Sequence, residues 1–270
     1  METNKKKSFS FTGIRSAGLV IICCFIIAVC IYNFIFGNPS NFMHNDPNNH
    51  PLPENFLGTI YKGGVIVPII QTLLLTVLAL SIERYFAIRT AFGKGPLVKF
   101  VKSIKEALTA GDIKKAQEIC NKQQGSVANV VISTLKKYDE MEFDTALPKD
   151  QKLLAIQKEL DEATALELPM MEQNLPIIGT ITTLGTLMGL LGTVIGMIRS
   201  FAALAAGGSA DSMALSQGIS EALINTAFGI LTGALAVISY NYYTNKIDKL
   251  TYSLDEVGFS IVQTFAATHK

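Results

Sequence analysis

The stretch Gly179-Thr-Ile-Thr-Thr-Leu-Gly-Thr-Leu-Met-Gly-Leu-Leu-Gly-Thr-Val-Ile-Gly-Met-Ile-Arg199 decides the fold class of this chain. Twenty residues pass before the first charge, Arg199, and at 1.5 Å per residue a helix of that length spans a hydrocarbon core of about 30 Å. Its composition is unlike that of a plain lipid anchor. At roughly 100° per residue, Gly185, Gly189, Gly192 and Gly196 fall within about 60° of one another, a ribbon without side chains along one side of a helix. Such a ribbon lets a second helix approach backbone to backbone, which is how helices pack where lipid is as apolar as leucine. Thr182, Thr186 and Thr193 form a second line, rotated by roughly 70°. A threonine hydroxyl can bond its own i−4 carbonyl and so sit in a bundle without another partner. The same line can also serve a polar path or a buried ligand. The residues leave both uses open, packing being the plainer.

A short run of small residues leads on to Gly218-Ile-Ser-Glu-Ala-Leu-Ile-Asn-Thr-Ala-Phe-Gly-Ile-Leu-Thr-Gly233 and then Ala-Leu-Ala-Val-Ile-Ser-Tyr-Asn241, a second long apolar stretch. With 49% hydrophobic residues and positive mean hydropathy, the chain reads as a membrane protein. Two further spans precede these: 17–36, behind Lys5, Lys6, Lys7 and Arg15, and 63–88, with Pro68 near its outer end and Glu83, Arg84 and Arg89 at its exit. The first is too long for a signal peptide and lacks an A-x-A-like cleavage site, so it reads as a retained signal anchor. Glu83 and Arg84 read as interfacial charges that snorkel.

The charges orient these spans. Residues 84–174 hold 14 of the 23 Lys and Arg, and the first 15 residues hold four more. Segments 37–62 and 205–216 hold only Lys62. The positive-inside rule then gives a cytoplasmic N-terminus at 1–16, a Pro/Asn-rich periplasmic loop at 37–62 and a cytoplasmic helical domain at 89–174. It also gives a periplasmic loop at 205–216, and a cytoplasmic C-terminal helix at 244–270 follows the last two transmembrane helices at 175–204 and 217–243. The predicted fold class is an all-α membrane protein of four transmembrane helices extended by a cytoplasmic helical bundle, in a ring-forming homo-oligomer. Within 89–174, Leu97, Phe100, Val101, Ile104 and Leu108 follow the helical period, and Thr-Ala-Gly-Asp at 109–112 reads as a C-cap glycine followed by an N-cap aspartate. Helices are predicted from Ile113, over Val127–Tyr138 and from Gln151, with 139–150 an acidic turn and Pro169 and Pro176 as bends.

Several functions are set aside. A net charge of +1 offers no overall field for nucleic acid. No paired-carboxylate site, Gly-rich phosphate loop or Ser/His/Asp constellation occurs, so neither an enzyme, a cofactor nor a catalytic residue is expected. The only histidines are His44, His50 and His269, and no third ligand type joins them, so no metal is expected. Cys23, Cys24, Cys30 and Cys120 follow no ligand or disulfide spacing and read as buried thiols. A solute transporter would show inverted repeats with broken helices, and none is visible.

Gly-Leu-Leu-Gly-Thr-Val-Ile-Gly-Met-Ile at 189–198 and Ile-Ser-Glu-Ala-Leu-Ile-Asn-Thr-Ala-Phe-Gly at 219–229 together resemble the MotA/TolQ/ExbB proton-channel family, in a form more like its ExbB and TolQ branch. The resemblance covers the last two spans with high specificity, the cytoplasmic region more loosely, and says little of residues 1–60. It implies a pentamer in the bacterial inner membrane whose last two spans surround a pore. The pore would hold an ExbD-like single-span partner whose aspartate carries the proton, and a TonB-like protein would carry the work onward. It further implies that Thr193, Glu221 and Thr226 are polar residues of the channel. Two features depart from the pattern. Leu184-Gly185-Thr186-Leu187-Met188 stands where ExbB-like chains commonly carry an Ala-Pro pair, and there are four spans where three are usual.

Helical projection sorts the fourth span. Glu221 and Asn225 share one side, whereas Thr226 is turned about 140° from Glu221 and shares its side with Ala222, Gly229 and Gly233. Glycine at 229 and 233 is suited to helix packing. The side with Thr226 is predicted to line a central pore, while Glu221 and Asn225 face a neighbouring helix as a channel or subunit-interface group. A plainer reading of Glu221 puts it at the outer interface, hydrated or paired with Arg199 of a neighbour, and Arg199 itself reads as reaching the headgroups. TolQ-like envelope maintenance, a MotA-like motility stator and a non-conducting membrane scaffold remain as alternatives.

Overall fold

The computed structural model describes residues 17–47, 49–53, 55–206 and 212–268. The N-terminal tail at 1–16, the middle of the predicted outer loop at 207–211, and His269 lie outside the described residues. Among those described there is no β-strand, only an isolated bridge between Phe42 and Pro51. The helices are α1 (Ala17–Cys30), continued as a π-helical segment over Ile31–Phe36, α2 (Phe56–Tyr61), α3 (Ile66–Phe92), α4 (Leu97–Thr109), α5 (Ile113–Gln123), α6 (Gly125–Phe143), α7 (Lys149–Glu172), α8 (Leu175–Ala206) and α9 (Ser212–Thr268). They divide between two units, an apolar one of residues 17–82 and 174–241 and a polar one of 83–173 and 242–268.

Among the described residues, four helical stretches are long and apolar enough to cross a membrane: 17–36, and stretches running through α3, α8 and α9. Leu19, Ile22, Phe25 and Ile26 of α1 are all exposed. A helix apolar on every side is stable against hydrocarbon and not against water. The connector after it holds itself together through its asparagines. Asn41 Nδ2 donates to the carbonyls of Ile35 (2.7 Å) and Phe36 (3.0 Å), which the π-helical end leaves open. Asn55 Oδ1 caps α2 by accepting from the Leu57 and Gly58 amides. Tyr32 stacks on Tyr61 and donates to its carbonyl at 3.0 Å, tying the first span to α2. Lys62 donates to Pro47 O (2.8 Å) above the Phe42 ring, and burial holds its pKa below the usual lysine value.

The polar unit is built on amphipathic repeats. Phe100, Val101, Ile104, Ala107 and Leu108 of α4 are buried, as are Ile247, Leu250, Leu254, Val257, Ile261 and Phe265 of α9, at the three- and four-residue steps of one helix face. Each such aliphatic side chain withdrawn from water contributes roughly 1.5–3 kcal/mol. Gly258 leaves the space that Leu160 fills, and the Tyr138 ring meets Phe265 edge-on at 4.9 Å. Gly111 takes a positive φ of 70° and Asp112 Oδ1 accepts from the Lys115 amide at 2.9 Å, so the Thr-Ala-Gly-Asp signal ends one helix and starts the next. Cys120 is fully buried and its thiol is pushed up to about 12, which leaves it inert at neutral pH.

Of the four cysteines expected to be buried, Cys23 and Cys30 are exposed, and the structure corrects the sequence expectation at four further places. Helix α6 continues to Phe143, so the turn is confined to 144–148, where Asp144 Oδ1 accepts from the amides of Ala146 and Leu147. The outer loop predicted at 205–216 is helical at 205–206 and from Ser212 onward. The C-terminal segment at 244–270 is no separate helix, because α9 runs unbroken from Ser212 to Thr268. Finally, Glu83 and Arg84 do not snorkel. Arg84 is fully buried, grips the Glu83 carboxylate through Nε (2.6 Å) and Nη2, and donates from Nη1 to the carbonyls of Met170 and Met171, both at 3.1 Å. Those carbonyls belong to the last turn of α7, where Pro169 sits, and the orphan acceptors of a helix end need such a donor.

Candidate functional site

The site is built on the α8/α9 hairpin of the apolar unit. Its seam is where the glycine ribbons meet. A Cβ on Gly229 would lie 2.6 Å from both Gly185 O and Gly189 Cα, and one on Gly189 would lie 3.1 Å from Asn225 O and Gly229 Cα. Only hydrogen fits between backbones that close. Gly196 faces Gly218 and Ala222, Gly233 faces Thr182 and Thr186, and Gly192 vacates the space taken by the Asn225 side chain. The ribbon glycines Gly185, Gly189, Gly192 and Gly196 thus pack against α9 of the same chain.

This geometry revises the predicted faces. Ala222, Gly229 and Gly233 are buried against α8, so that side of α9 is a seam and not an open wall. Thr226 stands at its edge, half-buried, and there its hydroxyl bonds the Thr193 hydroxyl. Thr193 also reaches Gly189 O (3.2 Å), and Thr226 reaches Ala222 O (3.1 Å) and Gly189 O (3.4 Å). Two hydroxyls share one another and the carbonyls one turn back, which leaves lone pairs able to accept from a third group. Thr182 donates to Gly179 O at 2.6 Å, and Thr186, more exposed, approaches Thr182 O at 3.5 Å. None of these groups titrates near neutral pH; the pair can only relay or orient a proton held by something else.

Glu221 is 5% exposed, and its carboxylate accepts from Arg199 Nη1 of its own chain at 2.6 Å. The partner is therefore not a neighbouring subunit's arginine. On its other side stands the Gly63-Gly64 turn between α2 and α3. Gly64 adopts φ +75°, and a Cβ there would overlap the Glu221 carboxylate, so glycine is required twice over. Asn225 Nδ2 donates to Gly63 O at 2.8 Å. Glu221 and Asn225, predicted as a channel or subunit-interface group facing a neighbouring helix, hold the start of the second span to the fourth within one chain. Arg199 is half-exposed and loses little hydration, so Glu221→Ala is expected to lower stability by only about 1–2 kcal/mol. Glu221→Gln, which keeps one hydrogen bond, should cost about half as much. Thermal unfolding in detergent checks both, and an unchanged midpoint for the alanine variant would remove the pair from the framework.

Sequence reasoning passed over α3 as a contributor. Gln71, Thr72 and Thr76 are buried in its apolar span, and neither Gln71 Oε1 nor Thr76 Oγ1 has a protein hydrogen-bond partner among the described residues. Their polarity within a charge-free run was the available signal. The Gly63-Gly64 pair at the head of that span was another.

Comparison with known proteins follows the same ground. The sequence model of the MotA/TolQ/ExbB proton channel family matches residues 126–256, from α6 into the polar part of α9. The chain is 30% identical over 185 residues to a Synechocystis protein named putative biopolymer transport protein ExbB-like 3, covering 67% of this chain and 81% of that one. It is 26% identical over 194 residues to the Tol-Pal system protein TolQ of Pseudomonas aeruginosa, again covering 67% and 81%. A putative biopolymer transport protein ExbB homolog of Methanothermobacter thermautotrophicus matches at 26% over 200 residues, 72% of this chain and 66% of that one.

Proposed function

Because this chain belongs to the MotA/TolQ/ExbB proton channel family, we propose that it forms the ring of an inner-membrane proton channel around an ExbD-like single-span partner. The observation that carries this reading is the Thr193–Thr226 hydroxyl pair, set beside a span pair in which the one acid among the described residues, Glu221, is bound to Arg199. From Leu175 to Asn245 the charged residues are Arg199, Asp211 and Glu221; Asp211 lies outside the described residues, and the other two bind each other. In this reading the proton-carrying carboxylate comes from another chain. The hydroxyls would hold it and its water in line while it loads and unloads. The ring is a homo-oligomer, pentameric by family resemblance, with both termini in the cytoplasm. Its output is energised transport across the outer membrane through a TonB-like protein. The polar unit serves assembly, and no enzyme chemistry is assigned to it. A TolQ-like envelope role is the second reading, favoured by the match to TolQ over 81% of that protein.

Reconstitution tests it. In vesicles carrying a pH gradient, with a pH dye inside, the chain alone is expected to be tight to protons. The chain co-purified with a one-span protein bearing a membrane aspartate is expected to conduct. Conduction by the chain alone would refute the division of labour. A co-purified pair that leaves the gradient intact would favour the non-conducting scaffold.

A further inference from the structure

We propose that a cleft between α3 and α9, in the polar unit, binds the phosphodiester headgroup of an anionic phospholipid. The cleft encloses about 330 Å³, at the lower end of the range of ligand pockets, and is lined by Tyr85, Arg89 and Phe92 of α3 with Tyr242, Tyr243 and Lys246 of α9. Two cations and three tyrosines line it, and no acid does. Arg89 carries no ion pair among the described residues. Lys246 has none either, and its ammonium lies over the Tyr242 ring at 5.6 Å.

Position selects the ligand. On α3 the charge-free run ends at Ile82, after seventeen helical residues from Ile66 or about 25 Å of helix, and Tyr85 and Arg89 follow it. On α9 the charge-free run begins at Ala222, twenty residues reach Asn241, and Tyr242 and Lys246 follow. Both helices therefore present a tyrosine at the depth of the glycerol backbone and a cation one turn further out, at the depth of the phosphates. Aromatic rings and basic side chains in that order are how a membrane interface is gripped. A basic pocket between spans on the positive side selects an anionic headgroup over a zwitterionic one, at roughly fivefold per cation. The site does not depend on proton conduction.

The test uses the full chain in nanodiscs of phosphatidylcholine with 30% phosphatidylglycerol. Native mass spectrometry after mild delipidation reads the lipid retained. The wild type is expected to keep phosphatidylglycerol over phosphatidylcholine. Arg89→Gln and Lys246→Gln should each lower that preference about fivefold, and the double variant about 25-fold. Lys102→Gln, a surface change elsewhere in the polar unit, should leave it unchanged and controls for net charge. Millimolar inorganic phosphate should not displace the lipid. Equal retention of both lipids by the wild type, undiminished preference in the double variant, or full displacement by phosphate would each overturn the proposal. So would a second protein chain, instead of lipid, protecting Arg89 and Lys246 from labelling.

Discussion

Arg84→Leu is expected to destabilise the protein by about 3–5 kcal/mol, the usual cost of removing one partner from a buried ion pair. Arg84 is 0% exposed and the Glu83 side chain 4%, so neither can turn to water when the other is lost. Leucine would strand the Glu83 carboxylate and also uncap the Met170 and Met171 carbonyls at the end of α7, just before the break at Asn174 (φ +68°). Arg84→Lys should recover little, because an ammonium is a single point charge and cannot hold a carboxylate bidentately while reaching two carbonyls. The double variant Glu83→Leu with Arg84→Leu should recover more than half the loss, since removing both charges removes the stranded one. Chemical or thermal unfolding in detergent separates these cases. A single leucine variant as stable as the wild type would show that the pair is solvated after all.

That pair also marks where reading the sequence stops. Adjacent acid and base at the end of an apolar run look the same whether they snorkel or are buried. What decides is a helix end 86 residues later in the chain, and no local pattern reports it. Glu221 presents the same difficulty at shorter range. Its partner lies 22 residues back, and only the register of the α8/α9 hairpin tells an arginine of the same chain from a neighbour's. The glycine ribbon, by contrast, was legible because its information is periodic. Gly185, Gly189, Gly192 and Gly196 share a face under any helical geometry, and a face without side chains must be occupied by backbone. The four spans were legible for the plainer reason that charge-free runs of twenty residues match a hydrocarbon thickness.

The C-terminal segment reads as a separate helix because hydropathy changes at the end of the fourth span while the backbone does not. Past Asn241 the pattern turns from apolar to amphipathic, yet residues 234–268 contain no proline and a single glycine, Gly258, so nothing stops the helix. A change of solvent was taken for a change of element. The same continuity carries Tyr85 and Arg89 of α3, and Tyr242 and Lys246 of α9, each pair four residues apart, past the ends of their spans, a relation visible only once both helices are known to run on.

The valine variants at Thr193 and Thr226 are expected to have the largest functional effect. In a complex with the proposed one-span partner, the double variant should lower proton flux by about 100-fold, the loss typical when a positioned proton-handling group is removed. Valine keeps the branched shape and removes the hydroxyl. The fold should survive, because each hydroxyl mainly back-bonds its own helix at Gly189 O or Ala222 O, an interaction worth no more than about 1 kcal/mol net. Serine at both positions keeps the hydroxyls with less bulk and should retain most of the flux, which separates chemistry from packing. Thr180 back-bonds Pro176 O at 2.8 Å on an exposed face, and Thr180→Val should conduct normally. If the double valine variant assembles with its partner and conducts like the wild type, the hydroxyls are only packing. The proton path must then run through other groups, with the buried Gln71 and Thr76 of α3 the first to examine.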